Sequence, residues 1–168
     1  MLVCAPQSDD DVRAWVDEAL ARAAEESQAS FVIRAADGTA LGTTRFLDIR
    51  RPDEGLEIGW TMMFAAGRGT FANSLVKLRL VERAFENGFS RVQLKTDARN
   101  VRSRAAIAAI GGRFEGVLRS YQRRADGTLR DTAMFSIVAA EWPGVRERLE
   151  ARVNERLQRS RALHEGDR

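Results

Sequence analysis

GWTMMFAAGRGTFAN, residues 59–73, is the stretch on which the fold turns. It continues an apolar, strand-like run at 56–64 that breaks into a short loop carrying Gly67 and Gly69. The loop opens onto a helix predicted to begin near Asn73 and run to residue 87. Val76, Leu80, Val81 and Ala84 form its stripe, and Asn87-Gly88 stops it. A strand, a glycine-bearing loop and a helix N-terminus, in that order, make a place that holds phosphate. The first N–H groups of a helix have no partner inside it, and the helix dipole favours an anion there. Such turns also arise from α/β architecture alone, so the rest of the chain must give this one its meaning.

Upstream, residues 8–11 supply helix-start residues. Val12, Trp15, Val16, Ala19, Leu20 and Ala23 then recur at three and four, predicting an amphipathic helix over 9–28. Strands follow at 31–34, 41–49 and 56–64, joined by turns at Asp37-Gly38 and at 51–55. Downstream, 89–96 reads as a strand, 101–110 as a short helix ending at Gly111-Gly112, and 114–123 with 128–138 as a hairpin around Asp126-Gly127. After Trp142-Pro143, Val145, Leu149, Val153 and Leu157 recur every four residues, predicting a C-terminal helix that runs into a charged tail. Helix, three-strand meander, helix, strand, helix, hairpin is not a doubly wound order. It predicts one α/β (α+β) domain over 1–152 with a mostly antiparallel sheet and one α-crossover, and 153–168 as helix end and tail.

Composition narrows the chemistry. The 168 residues are 44% hydrophobic and 30% charged, ordinary for one globular domain. No run approaches the ~18 apolar residues of a membrane span, and the start lacks a basic segment before an apolar one, so a cytoplasmic location is expected. Cys4 is the only cysteine and His164 the only histidine, in a polar tail. That removes an intrachain disulfide, Ser–His–Asp and Cys–His catalysis, and a His/Cys metal cluster; no metal is expected. The chemistry must run on carboxylates, hydroxyls, backbone amides or the substrate itself. The pI of 9.7 comes with a net charge of only +3 and interspersed acids, and 25 of 27 cations are arginine, so dedicated nucleic-acid binding is not expected.

Six segments now read together: LEIGW (56–60), RGTFANSLVKL (68–78), LKTDARNVRSRAAI (94–107), FEGVLR (114–119), RDTAMFS (130–136) and EWP (141–143). In this order and spacing the chain resembles the GNAT N-acetyltransferase superfamily, within it the branch of ribosomal-protein N-terminal acetyltransferases. The resemblance runs from about residue 8 to 152 and is most specific over 91–138. It implies a mixed, mostly antiparallel twisted sheet flanked by helices. The superfamily begins with a strand and a helix ahead of the one at 9–28. The sheet is therefore expected to lack its first edge strand, unless Met1 is an internal start.

The resemblance also implies the chemistry. Acetyl-CoA, as cosubstrate, lies between the strands at 56–64 and 89–96, and N–H groups around Met62, Met63 and Phe64 face the thioester carbonyl. One well-aimed donor to a developing oxyanion is worth roughly 2.7–4 kcal/mol. The pyrophosphate loop, usually Gln/Arg-x-x-Gly-x-Gly/Ala, falls on Arg68, Gly69, Thr70, Phe71, Ala72 and Asn73. Phe71 and Asn73 replace small residues, which shifts phosphate contact toward Gly69 and Thr70. Asn100 belongs to the cofactor side. Many members protonate the departing thiolate with a Tyr seven residues after this Asn, where this chain has Ile107. In the ribosomal-protein branch a Ser three residues after it is the donor, here Ser103, whose other reading is a helix cap. That branch's strand Glu corresponds to Gln122, which is no base and falls on the substrate side. Glu57 is the carboxylate left to draw a proton from the amine, or else a solvated strand residue.

Arg45 is a receptor for an acceptor's carboxylate or phosphate, or a surface arginine. Trp60 is core or a substrate wall, and Asp131 holds the hairpin. The acceptor is expected to be a small-molecule or peptide amine. At pH 7 an α-amine of pKa ~8 is about 10% neutral and a lysine about 0.04%, so a site without a strong base favours the former. The alternative is a degenerate acyl-CoA-binding or regulatory module, for which Phe71, Ile107 and Gln122 speak; a basic RNA-associated protein is a third reading. The stripe at 145–157 reads as core packing first and a homodimer contact second.

Overall fold

A computed structural model describes residues 8–124 and 126–165, with side chains up to residue 159. Cys4 and the His164 side chain lie outside the described residues. Helix α1 (Asp9–Ala24) begins with a reciprocal cap. Ser8 Oγ accepts the Asp11 N–H, and Asp11 Oδ2 accepts the Ser8 N–H, each at 3.1 Å. It stops short of residue 28 because Glu26 turns left-handed, φ 55°, to deliver the chain to the sheet.

The remaining elements follow the predicted order with ends displaced by a residue or two. They are β1 (Ala29–Arg34), β2 (Ala40–Arg50), β3 (Gly55–Met63), α2 (Ala72–Glu86), β4 (Arg91–Asp97), α3 (Val101–Ala109), β5 (Arg113–Arg123), β6 (Leu129–Val138) and α4 (Trp142–Glu165). Helix α4 is longer than its apolar stripe, with Pro143 in the first turn, where a missing N–H costs nothing.

The six strands form one sheet, β1-β2-β3-β4-β6-β5, antiparallel except between β3 and β4. Among the described residues no strand precedes α1, and β1 is an edge. Leu56, Ile58, Val92, Leu94, Ala133, Phe135 and Ile137 face one way. They meet Leu78, Val81 and Ala84 of α2, Ile107 of α3, and Val145 and Leu149 of α4. Of the 145–157 stripe, Val145 and Leu149 pack in this core, Val153 is buried and Leu157 is half-buried.

One irregularity shapes everything functional. Arg45 pairs with Gly59 and Thr43 with Met62, so two steps on β2 match three on β3. The surplus residue makes a β-bulge, with Trp60 at φ 48°. A bulge bends its strand, and β3 touches β4 only at Gly55↔Arg91, Leu56↔Val92 and Glu57↔Gln93. Beyond Glu57 the two parallel strands part.

Candidate active site

The gap between β3 and β4 is the floor of a cleft of about 670 Å³. Its walls come from β3 between Glu57 and Met63, the loop from Gly67 to Thr70, the first turns of α2 and α3, and the end of β4. Gln122, Arg130, Arg152 and Arg156 close it.

At one end lies the start of α2. Phe71, the cap position, has helical geometry and offers no side-chain bond. Thr70 caps instead: its Oγ1 accepts the Ala72 N–H at 3.1 Å and donates to Gly67 O at 2.9 Å. Gly69 takes φ 75°, the left-handed turn this loop requires. The N–H groups of Asn73 and Ser74 find no acceptor among the described residues. Four arginines line the same cleft, Arg68, Arg102, Arg152 and Arg156, and none is ion-paired among the described residues. Arg68 Nε donates to Met63 O at 3.0 Å and Arg156 to Thr70 O at 3.4 Å. A helix start with two open N–H groups and guanidinium groups without carboxylates in the same cleft suits a polyphosphate. Phe71 and Ala72 contribute no lining side chain. The two α4 arginines were not singled out in the sequence, because α4 is far from the loop in the chain.

Along β3 the three expected amide donors separate. Phe64 spends its N–H on Leu41 O at 2.8 Å, toward β2, and is not available to the cleft. Strand alternation turns the neighbouring Met63 N–H the other way, into the gap. Met62 pairs across β2 with Thr43.

Glu57 is not a solvated strand residue. It is 2% exposed, and its Oε2 lies 2.7 Å from Lys95 Nζ. Burial pushes its carboxyl pKa up, opposed chiefly by Lys95. As a base it is engaged rather than free.

Lys77 is the residue the sequence reading missed. It is 5% exposed, and its Nζ donates to Thr61 Oγ1 at 2.6 Å, which in turn lies 2.9 Å from Thr44 Oγ1. Burial with no carboxylate in contact lowers its pKa to about 7. The signal was present: Lys77 sits between Asn73 and Val81 on the buried face of α2 and is one of two lysines in an arginine-rich chain.

On α3 the cap is Asn100, whose Oδ1 accepts the Ser103 N–H at 2.9 Å. Ser103 is therefore not the cap; it lines the cleft, and its hydroxyl has no hydrogen-bond partner among the described residues. Ile107 is buried in the core. Gln122 lines the cleft beside Arg130. Asp131 Oδ1 accepts the Ser120 N–H at 2.8 Å, pinning the β5–β6 hairpin.

Arg45 departs furthest from expectation. It is fully buried and lies outside the cleft lining. Its guanidinium carbon is 4.4 Å from the Trp15 ring centre and 4.5 Å from that of Trp60. It donates to Glu18 at 2.8 Å and Gln28 at 3.1 Å. Arg45 thus ties α1 to the back of the bulge, and Trp60 serves both as its lid and as cleft wall.

Two parallel strands splayed by a bulge, beside a helix start whose Asn73 and Ser74 N–H groups stay open, form a cleft of the acyl-CoA transferase type. The chain belongs to the GNAT acetyltransferase family: the family pattern described as "Acetyltransferase (GNAT) domain" matches residues 2–113. A candidate acetyltransferase from T. thermophilus is 36% identical, with TM-score 0.77, covering 86% of this chain and 75% of its own. A GCN5-related N-acetyltransferase from Brucella melitensis is 25% identical, with TM-score 0.80, covering 88% and 66%. Mycobacterium smegmatis RimJ, in complex with CoA-disulfide, shares the fold at 24% identity and TM-score 0.74, covering 84% and 68%. No curated protein matches the chain. No helix among the described residues is long and apolar enough to cross a membrane.

Proposed function

We propose that this protein transfers the acetyl group of acetyl-CoA directly to a primary amine, an α-amino group or similarly low-pKa amine rather than a lysine side chain. One observation carries the reading: the β3–β4 gap, with the Met63 N–H turned into it, leads to the bare N-terminus of α2 and its arginines. Phosphates at Gly69 to Ser74 place the pantetheine arm along β3. The amine nitrogen then attacks the thioester carbon, the oxyanion accepts the Met63 N–H, and the C–S bond breaks. No covalent enzyme intermediate is needed.

The attacking nitrogen sheds a proton to water in the open cleft, and the departing thiolate needs one. The Ser103 hydroxyl is one donor. Lys77, working through the Thr61 hydroxyl, is another whose pKa of about 7 lies below that of a thiol near 8.5, so transfer runs downhill. Glu57 is tied to Lys95 and Asp97 to Arg124, so no cleft carboxylate among the described residues is a free base, which favours amines already neutral at pH 7. The CoA-disulfide complex of the RimJ relative agrees with a CoA-binding cleft.

The test is to incubate purified protein with acetyl-CoA and a panel of free amines, peptides and amino-sugars and to follow CoA release. Turnover on peptide or small α-amines with none on lysine side chains is expected. Acetyl-CoA binding with no turnover on any class refutes the proposal and leaves an acyl-CoA-binding regulatory module, the reading Phe71, Ile107 and Gln122 favour.

A further inference from the structure

The acetyl-transfer steps leave Arg130 without a task. It is the second residue of β6 and is only 4% exposed. Its Nε donates to Thr132 Oγ1 at 3.1 Å; the residue lines the cleft, and its terminal nitrogens meet no acceptor and no carboxylate among the described residues. Withdrawing a cation from water with no counter-ion is costly. Desolvation lowers its pKa, yet a guanidinium stays charged.

Three other buried or half-buried cations of the sheet and its hairpin each have a carboxylate. Lys95 meets Glu57 at 2.7 Å, Arg124 meets Asp97 at 2.8 Å, and Arg45 meets Glu18 at 2.8 Å. Arg130 is thus a buried positive charge at the cleft wall with its acceptor missing.

Its place says which side it serves. Ala133, Phe135 and Ile137 of β6 point into the core under α2, α3 and α4. The pleat therefore turns Thr132, and with it the Arg130 that bonds it, to the opposite face. Lys95 is on that face too, paired with Met134. The phosphate-binding arginines and the start of α2 stand on the other side, so Arg130 is not one of that group. Gln122 lies directly across the β5–β6 ladder and reaches the same cleft, offering a neutral amide donor beside the fork.

Resting on the acetyltransferase reading, we propose that Arg130 receives a carboxylate or phosphate oxyanion carried by the acceptor amine, with Gln122 as its neighbour. The acceptor is then an anionic amine: an amino acid, a compound with a free carboxylate, or a phosphorylated amine. The planar fork matches either group by two parallel hydrogen bonds. The anion-binding role expected of Arg45 passes to Arg130, since Arg45 is spent on Glu18.

Calorimetry first establishes that CoA binds, which fills the phosphate sites. In that complex the Arg130 Nε–H signal, identified by its loss in Arg130→Lys, is followed by NMR while acetate, inorganic phosphate or chloride is added. A saturable shift with acetate or phosphate, and none with chloride, is expected; the anion that saturates at lower concentration identifies the group. Turnover is then compared on glycine against glycinamide, and on phosphoethanolamine against ethanolamine. The wild type should prefer an anionic member by about tenfold or more in kcat/KM. Arg130→Met should erase that preference and leave CoA affinity unchanged. A signal indifferent to both anions, or a preference that persists in Arg130→Met, overturns the proposal. CoA failing to bind overturns the acetyltransferase reading itself, and the proposal with it, and is seen before any anion is added.

Discussion

Lys77→Met tests whether the buried amine in the cleft is as strongly perturbed as its surroundings require. Methionine keeps the length and much of the volume and removes the charge. The native pKa of Lys77 is about 7, against an ordinary 10.5. Between these values the unfolded chain holds one more proton than the folded one, so stability rises with pH across that window and is lowest below about 7. The full gap, at about 1.36 kcal/mol per pH unit, comes to about 5 kcal/mol. From pH 6.5 to pH 9 the wild type should gain about 2–3 kcal/mol relative to Lys77→Met, the remainder arriving above pH 9. Groups elsewhere titrate alike in both proteins and cancel in the difference. The charged groups lining the same cleft are Glu57 on β3, Arg68 in the loop, Lys95 and Asp97 on β4, Arg102 on α3, Arg130 on β6, and Arg152 and Arg156 on α4. Glu57 is the one coupled to it strongly, and repeating the pair in a Glu57→Gln background removes it. The assay is urea unfolding of each protein at several pH values. A difference that stays constant to within about 0.5 kcal/mol would refute the reasoning, because a lysine that keeps its ordinary pKa on folding has no such slope.

Thr70→Glu sets a negative charge against the open N–H groups of Asn73 and Ser74. Acetyl-CoA affinity should fall by about tenfold or more by calorimetry, and unchanged affinity means that the phosphates lie elsewhere. Ser103→Ala should lower kcat far more than KM for acetyl-CoA and leave Tm unchanged, since Asn100 makes the cap. A lower Tm with unchanged kcat would show a structural role instead. Arg45→Met strips two stacked rings and the Glu18 partner of their cation, and should cost about 2–4 kcal/mol in urea unfolding. A cost under about 0.5 kcal/mol would mean that the stack contributes no more than an exposed pair.

Periodicity and turn residues alone specified the order of helices and strands, the mixed sheet and the loop that opens α2. These are local properties: a period of two or 3.6, a glycine at a left-handed turn, a stripe to be buried. Asn100 and Ser103, within the motif at 94–107, and Gln122, on the strand after it, could also be assigned to the cleft, through the family resemblance. Other features belong to the tertiary structure. The extra residue at Trp60 shows only in the register of β3 against β2, and that register parts β3 from β4. Arg45 and Lys77 look like any surface cations until Trp15, Trp60 and Thr61 close over them. Arg130 acquires its meaning from a missing carboxylate, and Arg152 and Arg156 reach the phosphate end only because α4 folds back along α2. Desolvation and charge pairing depend on which distant groups share a volume, and one strand's or helix's own sequence carries no record of that.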